Sequence, residues 1–299
     1  MKTFIKQKLH VLNFKAAAWW RAYGPTRFAE CADLYLRDRL ARRHYHFEDI
    51  ERVPALRKSD VVFVFGSGAS LQEIPVDEWA RIAAHDTLGW RLFAYQEYVR
   101  ADFLLVREMG GMEYYDGRGP RLQSSREWAA KLRDNPKFAE TIMVVQEGWR
   151  ATSGNRLFAH RLLPEDRRYM RYRNGTRDPQ AMPGTSFAEG ITHGNGTITD
   201  AVNFAFLGGW KHIVLIGVDL YDNRYFLTEK GQQNEEWVGH PDADRPNTTV
   251  FSGIVNDMGR WVTWLNAQGV SISVHNPRSL MTEVMPVFEW NSIASDGGR

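Results

Sequence analysis

The sequence predicts an α/β fold with a mainly parallel, doubly wound sheet. Five apolar runs of strand length recur along the chain, and stretches of helical character lie between several of them. A continuous apolar run is typical of a strand that is covered on both faces, and strands that alternate with helices favour a parallel sheet between two helical layers. The predicted strands are 61–66, 102–106, 141–145, 212–217 and 270–274, and the predicted helices lie near 76–84, 198–207 and 250–267.

Residues 1–55 differ from the rest of the chain and are predicted to form a helical arm ahead of one Rossmann-like domain at 56–299. Within 1–22, apolar residues that include Trp19 and Trp20 are set among lysines and an arginine. This composition suits an interfacial helix on an anionic membrane. A helix that packs on the main domain or on a partner subunit is the alternative, and apolar helix stripes favour it because they are usually buried in a core.

The stretch 107–189 carries little periodic signal beyond the strand predicted at 141–145, and it is rich in Arg, Pro and Gly. Long loops in compact domains are commonly functional. We therefore interpret this stretch as long connections and insertions around the site, and we expect no separate domain there.

Composition and charge exclude several classes of protein. The chain has 299 residues, 43% of them hydrophobic, which is enough for a large core. The net charge is only +2, so we expect no nucleic-acid partner. The single cysteine, Cys31, excludes an internal disulfide and a cysteine-based zinc cluster. There is no apolar run of about 18 residues and no signal-peptide core, so we expect a cytoplasmic protein, at the inner face of the cytoplasmic membrane if the arm binds lipid.

A glycine-rich turn follows the first predicted strand. Glycines at 66 and 68 allow backbone N–H groups to approach a bound anion, and the neighbouring serine hydroxyls add donors. The turn lacks the third glycine of a dinucleotide fingerprint and the lysine of a P-loop, so it does not by itself indicate NAD or ATP. A tight strand-to-helix connection without a ligand explains it as well. The candidate nucleotide-binding residues here are Gly66, Ser67, Gly68 and Ser70.

A second small-residue turn, at 193–197, opens the helix predicted at 198–207, and polar residues follow the strand at 212–217. Carboxyl ends of parallel strands meet at one edge of a sheet, so we expect these groups to converge there, where nucleotides bind. Asp219 would hold ribose hydroxyls, and two tyrosines would donate hydrogen bonds to a phosphate. An Asp that caps a turn and tyrosines that pack are the ordinary alternatives. The further candidates are Asn195, Gly196, Thr197, Tyr221 and Tyr225.

Three sequence blocks resemble the bacterial lipooligosaccharide sialyltransferases, in the same order as the motifs of that family. They are GWKHIVLIGVDLYDNRYF at 209–226, WVGHP at 237–241 and HNPRSL at 275–280. The family also begins its nucleotide fold with a Gly-Asn-Gly-Pro-Ser-Leu turn, and FGSGASL at 65–71 stands in that place. The resemblance covers scattered blocks between residues 60 and 287.

The resemblance implies an activity and a set of residue roles. Members of the family transfer sialic acid from CMP-sialic acid with inversion and without a metal, so no cofactor is expected and the partners are a CMP-sugar and a glycan acceptor. His240 matches the general base of the family. Tyr221 matches one of its two phosphate-binding tyrosines, and Tyr225 is the candidate for the other. Asn276 and Ser279 match a loop that closes on the nucleotide.

The chain departs from the family at two sugar-facing positions. Where the family has asparagines after its second and third strands, this chain has Arg91 and Arg107 with their neighbours. The departure leaves open another CMP-linked 2-keto acid sugar, such as Kdo. Either arginine would suit the carboxylate of such a donor, because a guanidinium binds a carboxylate through two parallel hydrogen bonds. A structural role for both arginines is the alternative.

Other functions remain open. A related group of pterin pyrophosphokinases carries a similar glycine turn and uses Mg²⁺ with clustered carboxylates. Asp242 and Asp244 have the Asp-x-Asp spacing that metal-dependent glycosyltransferases use, so a metal-dependent transferase is a further alternative. A non-catalytic nucleotide- or sugar-binding subunit is a third reading, and a homo-oligomer is left open. The other histidines, including His193 and His212, lack metal-ligand spacing and are interpreted as structural or loop residues.

Overall fold

The computed structural model describes residues 29, 32–107, 120–147, 153–176, 178, 180–221, 224–227 and 253–293. These residues contain one sheet of eight parallel strands, which confirms the predicted α/β class. The strands are β1 (His46–Glu48), β2 (Val61–Phe65), β3 (Asp86–Trp90), β4 (Phe103–Val106), β5 (Ile142–Glu147), β6 (Arg168–Arg173), β7 (His212–Ile216) and β8 (Ser271–Val274). Their order across the sheet is β1-β6-β5-β4-β3-β2-β7-β8.

Helices cover both faces of the sheet. They are α1 (32–41), α2 (Val53–Leu56), α3 (Val76–Ala83), α4 (Pro120–Asp134), α5 (Ser153–Ala159), α6 (Thr197–Leu207) and α7 (Ile254–Ala267). Buried side chains of α3, α4 and α5 pack on one face of the sheet, and those of α6 and α7 pack on the other. The architecture is therefore a three-layer sandwich of helices, sheet and helices.

The central strand β2 shows why the core has two halves. Its five residues are all buried. Val62 and Val64 belong to the core beneath α6 and α7, whereas Phe63 and Phe65 belong to the core on the opposite face. Phe65 stacks on Phe93 with ring centroids 4.3 Å apart. Full burial of each such side chain contributes about 1.5–3 kcal/mol, so this strand anchors the turn that follows it.

All five predicted strands are present, and the three predicted helices correspond to α3, α6 and α7. The sheet also contains β1, β3 and β6, which have no continuous apolar run. Strand β6 lies within the stretch 107–189, which is interpreted above as connections and insertions. Strand β1 lies before the boundary predicted at residue 55, so the sheet includes residues that the prediction places in the arm.

The strand order places a topological switch point between β2 and β7. From β2 the chain proceeds outward through β3, β4, β5 and β6, and it then returns to place β7 on the other side of β2. The helix that follows β2 and the helix that precedes β7 lie on opposite faces of the sheet. Open parallel sheets form their ligand crevice outside the carboxyl ends of the strands at this position.

Candidate functional site

The turn after β2 and the loop after β7 lie against each other at the switch point. The N–H of Gly66 donates to the carbonyl of Ile216 at 2.6 Å, and the N–H of Gly68 donates to the carbonyl of Gly217 at 2.7 Å. A Cβ atom on Gly66 would lie 2.2 Å from the Gly217 oxygen, and one on Gly68 would lie 2.3 Å from Asp219 Oδ2. The absence of a side chain at both glycines thus permits this close approach. The sequence predicts that the two N–H groups face an anion, but they donate to backbone carbonyls at the end of β7 and in the loop after it.

Asp219 joins the turns after three strands. Its buried carboxylate accepts hydrogen bonds from the backbone N–H of Ser70 at 2.9 Å and from the Ser70 hydroxyl at 2.5 Å. The side-chain amide of Asn276 donates to the same carboxylate at 2.9 Å. A buried charge is tolerated only when donors such as these satisfy it. Asp219 therefore fixes the turns after β2, β7 and β8 relative to one another, and its predicted contact with ribose stays a prediction.

The loop after β8 closes over the loop after β7. The Asn276 amide also lies 3.4 Å from the hydroxyl of Tyr221. The Ser279 hydroxyl donates to the carbonyl of Val218 at 2.5 Å. The guanidinium of Arg278 lies 5.5 Å from the centre of the Tyr221 ring. The structure thus brings together the predicted residues of this edge, and we call Ser70, Asp219, Tyr221, Asn276 and Ser279 the switch-point cluster.

Tyr225 lies beside the first glycine turn. It pairs with Gly68 in an isolated antiparallel bridge, and the N–H of Phe226 donates to the carbonyl of Ser67 at 2.9 Å. The side-chain amide of Gln72 donates to the carbonyl of Phe226 at 2.6 Å. These contacts hold the segment that carries Tyr225 at the same edge as the switch-point cluster, as the sequence predicts.

The backbone between Asp219 and Tyr221 has an unusual conformation. Leu220 has a φ of 63°, in the left-handed region that residues with a Cβ rarely occupy. The conformation costs roughly 1–2 kcal/mol for such a residue and persists only where its surroundings hold it. Before Leu220, the Asp219 carbonyl accepts from the N–H of Leu280 at 3.2 Å and the Asp219 carboxylate binds Ser70 and Asn276. After it, the Tyr221 hydroxyl lies 3.4 Å from the same Asn276 amide.

The second small-residue turn holds the start of α6 against α7. The Asn195 amide donates to Asp257 Oδ2 at 2.7 Å. The N–H of Gly194 donates to the Thr199 hydroxyl at 2.9 Å, and that hydroxyl donates to the carbonyl of Gly196 at 2.6 Å. Thr197 is the first residue of the helix. Asn195 thus binds a carboxylate of the protein, and its predicted contact with the nucleotide stays a prediction.

Arg107 lies directly after β4 and is buried against α6. Its Nη1 atom lies 2.8 Å from Asp200 Oδ1 and 2.7 Å from Asp200 Oδ2. Asp200 Oδ2 also lies 2.7 Å from Nδ1 of His193. The arginine expected to pair with a donor carboxylate is thus paired with a carboxylate of the protein. The side chain of Arg91, the other candidate for that role, lies outside the described residues.

Sequence reasoning missed the contribution of His193 and Asp200. The arginine and the aspartate of this group are 93 residues apart, and no periodicity relates them. The only local signal is a histidine that precedes a small-residue turn at the start of a helix.

Two predictions concern residues that the structure does not describe. His240 and the pair Asp242 and Asp244 lie outside the described residues, so the predictions for them stay untested.

The described residues contain no group of three or more His, Cys, Asp or Glu side chains placed to hold a metal ion. Within the same ranges, no helix has both the length and the apolar character needed to span a bilayer.

The similarity of this chain to known proteins is distant and structural. No family model matches the chain, and no curated protein matches it significantly. Among solved structures, the MAf glycosyltransferase from Magnetospirillum magneticum AMB-1 matches with 14% sequence identity and a TM-score of 0.41. The match covers 80% of this chain and 39% of that chain, so this chain spans less than half the length of that protein. A similarity this distant bears on neither substrate nor mechanism.

Proposed function

We propose that this protein is a glycosyltransferase that moves a 2-keto acid sugar, such as sialic acid or Kdo, from a CMP-activated donor to a hydroxyl of a glycan acceptor. The observation that carries the proposal is the switch-point cluster. Ser70 and Asn276 come from blocks that resemble the sialyltransferases, and both bind the carboxylate of Asp219. Tyr221 comes from the resembling block at 209–226, and its hydroxyl lies 3.4 Å from the Asn276 amide.

The chemistry of a CMP-sugar fits such a site. The bond between the anomeric carbon and a phosphate oxygen breaks, and the electron pair leaves with CMP. The acceptor oxygen attacks the opposite face of that carbon and gives up its proton to a base. Charge then develops on the departing phosphate, and preorganised neutral donors such as Tyr221 and Tyr225 would stabilise it.

Asp219 would serve this chemistry by positioning. It ties Ser70 and Asn276 to the loop that carries Tyr221, so the donors of the site are fixed before a ligand binds. Donors that need no reorganisation during the reaction stabilise a transition state most effectively. The resemblance gives the base role to His240 and leaves Arg91 and Arg107 as candidates for the sugar carboxylate, and we keep both assignments as parts of the proposal.

The acceptor and the place of reaction are also proposals. A lipid-linked glycan at the inner face of the cytoplasmic membrane would give the basic, tryptophan-bearing arm at 1–22 a function, because such segments bind anionic lipid surfaces. Loss of liposome binding on deletion of 1–22 would support this location. No binding by the intact chain would contradict it.

The decisive experiment incubates the full chain with CMP-sialic acid, CMP-Kdo, CTP or Mg²⁺-ATP, each with a mixture of glycan acceptors and with or without EDTA. Thermal stability and CMP release are the measurements. We expect a CMP-sugar to raise the melting temperature and to release CMP whether or not EDTA is present. Stabilisation and turnover with Mg²⁺-ATP alone would contradict the proposal and favour a pyrophosphokinase, and stabilisation by CMP-sugars without turnover would favour a binding subunit.

Tyr221→Phe tests the phosphate contact within the same assay. Loss of one neutral hydrogen bond costs about 0.5–1.5 kcal/mol, so we expect turnover to fall by roughly two- to tenfold. Tyr35→Phe is the matched control, because Tyr35 lies on the exposed side of α1, remote from the switch point, where its hydroxyl accepts a hydrogen bond from Arg39. Equal turnover of the Tyr221 variant and the control would remove Tyr221 from the site.

A further inference from the structure

His193, Asp200 and Arg107 form a hydrogen-bonded group in which the proposed function gives no role to His193 or Asp200. His193 Nδ1 lies 2.7 Å from Asp200 Oδ2, and 21% of the histidine side chain is exposed, against none of the aspartate. Among the residues that the structure describes, Asp200 is the one hydrogen-bond partner of the His193 ring. A ring bound through Nδ1 leaves Nε2 as its remaining polar atom.

Arg107 supplies the charge that Asp200 needs in this position. Its Nη1 atom lies within 2.8 Å of both carboxylate oxygens, and only 3% of its side chain is exposed. A buried carboxylate requires a partner of opposite charge, and here the arginine provides it. Asp200 therefore does not depend on the histidine for a counter-charge, and a ring bound through Nδ1 keeps Nε2 for another partner.

The backbone around the histidine is fixed on both sides. The N–H of His193 donates to the carbonyl of Thr176 at 2.9 Å. The preceding N–H, of Thr192, donates to the side chain of Asn203 at 2.8 Å, and the following one, of Gly194, donates to Thr199. The position of the histidine is thus fixed through its backbone and through its ring, and a general base needs to be held in this way.

The other charged groups near this turn are compensated. Asp257, at the start of α7, accepts hydrogen bonds from Asn195 at 2.7 Å and from Arg260 at 2.7 Å. With Asp200 paired to Arg107 and Asp257 paired to Arg260, the groups that face the turn from α6, α7 and the end of β4 balance in charge. Neither aspartate therefore depends on His193 for a counter-charge.

The group lies at the edge of the sheet that carries the switch-point cluster. α6 leads into the parallel strand β7, so the start of α6 lies at the carboxyl edge. Arg107 follows β4, which is separated from β2 by β3 alone. Two strand spacings amount to about 10 Å, a distance that a donor sugar and an acceptor sugar together span.

We propose that His193 takes up the proton of the glycan hydroxyl that attacks the donor sugar. Asp200 and Arg107 are positioning residues that orient the His193 ring. The inference rests on the proposed glycosyl transfer, and it differs from the assignment of that role to His240. In this step the hydroxyl proton passes to Nε2 while Nδ1–H stays bound to Asp200. The hydroxyl oxygen bonds to the anomeric carbon, and the bond from that carbon to the phosphate oxygen breaks with its electron pair on CMP.

The first test compares His193→Ala, His240→Ala and His212→Ala in the CMP-release assay, with and without added imidazole. General base catalysis contributes roughly 10²–10⁴-fold, so we expect at least a hundredfold loss in the His193 variant, with partial restoration by imidazole and an unchanged thermal shift with CMP. His212 is the control, because it begins β7 at the opposite edge of the sheet and binds Ser271. Near-normal turnover of the His193 variant, a loss that imidazole does not restore, or restoration confined to the His240 variant would overturn the inference.

The second test needs no substrate. Nitrogen NMR of the histidine rings, assigned with His193→Ala, should show His193 at neutral pH with the proton on Nδ1, and Asp200→Asn should shift the proton towards Nε2. A ring that carries its proton on Nε2 in the unaltered protein would overturn the inference whatever the reaction proves to be. If no CMP-sugar releases CMP from the unaltered protein, the proposed function fails, and the NMR result still decides whether His193 is an oriented proton acceptor.

Discussion

The switch-point cluster and the His193 group each contain a buried aspartate, and they satisfy it in different ways. Asp219 is bound by neutral donors from Ser70 and Asn276, which belong to loops after two other strands. Asp200 is bound by a buried arginine and a histidine. The first arrangement joins the loops after three strands, and the second joins the end of β4 to α6 and to the turn before it. One edge of the sheet thus contains a carboxylate bound by neutral donors and a carboxylate bound by an ion pair.

The largest effect on stability should come from Asp200→Ala, which removes the charge partner of Arg107 in the His193 group. Arg107 then stays buried without the carboxylate that accepts from its Nη1 atom. Breaking a buried pair from one side costs about 3–5 kcal/mol, and we expect the free energy of unfolding, measured with urea, to fall by that amount. In the exposed pair of Arg161 and Glu165, Glu165→Ala should cost about 1 kcal/mol or less. Similar losses in both variants would show that Asp200 has no special role.

A smaller effect on stability is expected from Gly68→Ala, which disturbs the switch-point cluster. The new Cβ would lie 2.3 Å from Asp219 Oδ2 and 2.8 Å from the Gly217 carbonyl oxygen, so the two loops must separate. Overpacking of this kind costs about 1–3 kcal/mol. We expect weaker CMP binding by calorimetry with an unchanged His193 NMR signal, and Thr263→Ala, at an exposed position of α7, is the control. A change at His193 would show that the two regions are coupled and not separate.

The smallest effect concerns Glu78, which supports the loop that carries Asn276. Glu78 Oε1 lies 3.0 Å from His275 Nε2 and accepts from the Trp290 indole at 2.8 Å. Burial raises the pKa of Glu78, but the hydrogen bonds with His275 and Trp290 outweigh it and leave that pKa below the ordinary value of 4.5. A carboxyl with a lowered folded-state pKa stabilises the fold above its ordinary value and loses this contribution as the pH falls through the folded value.

Glu78→Gln should therefore flatten the acid side of the stability curve below about pH 4.5 and lower the free energy of unfolding at pH 7 by roughly 0.5 kcal/mol, since the group is only partly buried. Urea unfolding between pH 3 and pH 7 is the measurement. Glu51→Gln, at an exposed position, is the control. Identical pH profiles for the Glu78 variant and the unaltered protein would contradict the role assigned to this contact.

The strands that the sequence predicts are those with continuous apolar runs, because such runs reflect burial on both faces. β6 escapes prediction because three of its six residues are arginines. Arg171 on this strand is paired with the buried Asp38 of α1 and lies 4.5 Å from the centre of the Phe158 ring. Tertiary partners of this kind make a charged residue compatible with a buried strand, and they leave no mark on local periodicity.

The same distinction holds at the site. The grouping of the residues after β2, β7 and β8 is predictable, because carboxyl ends of neighbouring parallel strands share an edge. The hydrogen bonds of Gly66 and Gly68 are not predictable, because they depend on how near the β7 loop lies. The pairing of Arg107 with Asp200 depends in the same way on how α6 packs over the end of β4.

The bonds of Asp219 also have a consequence for the order in which the protein acquires its site. Asp219 is 149 residues from Ser70 and 57 residues from Asn276. Contacts between such distant positions form late, because a long stretch of chain must first be closed into a loop. During synthesis, β2 and its turn emerge long before Asp219, and Asp219 has both of these partners only after Asn276 leaves the ribosome. Until then the Asp219 carboxylate lacks the donor from Asn276. We therefore expect nascent chains that end before residue 276 to be incompletely folded at this edge of the sheet and to bind chaperones.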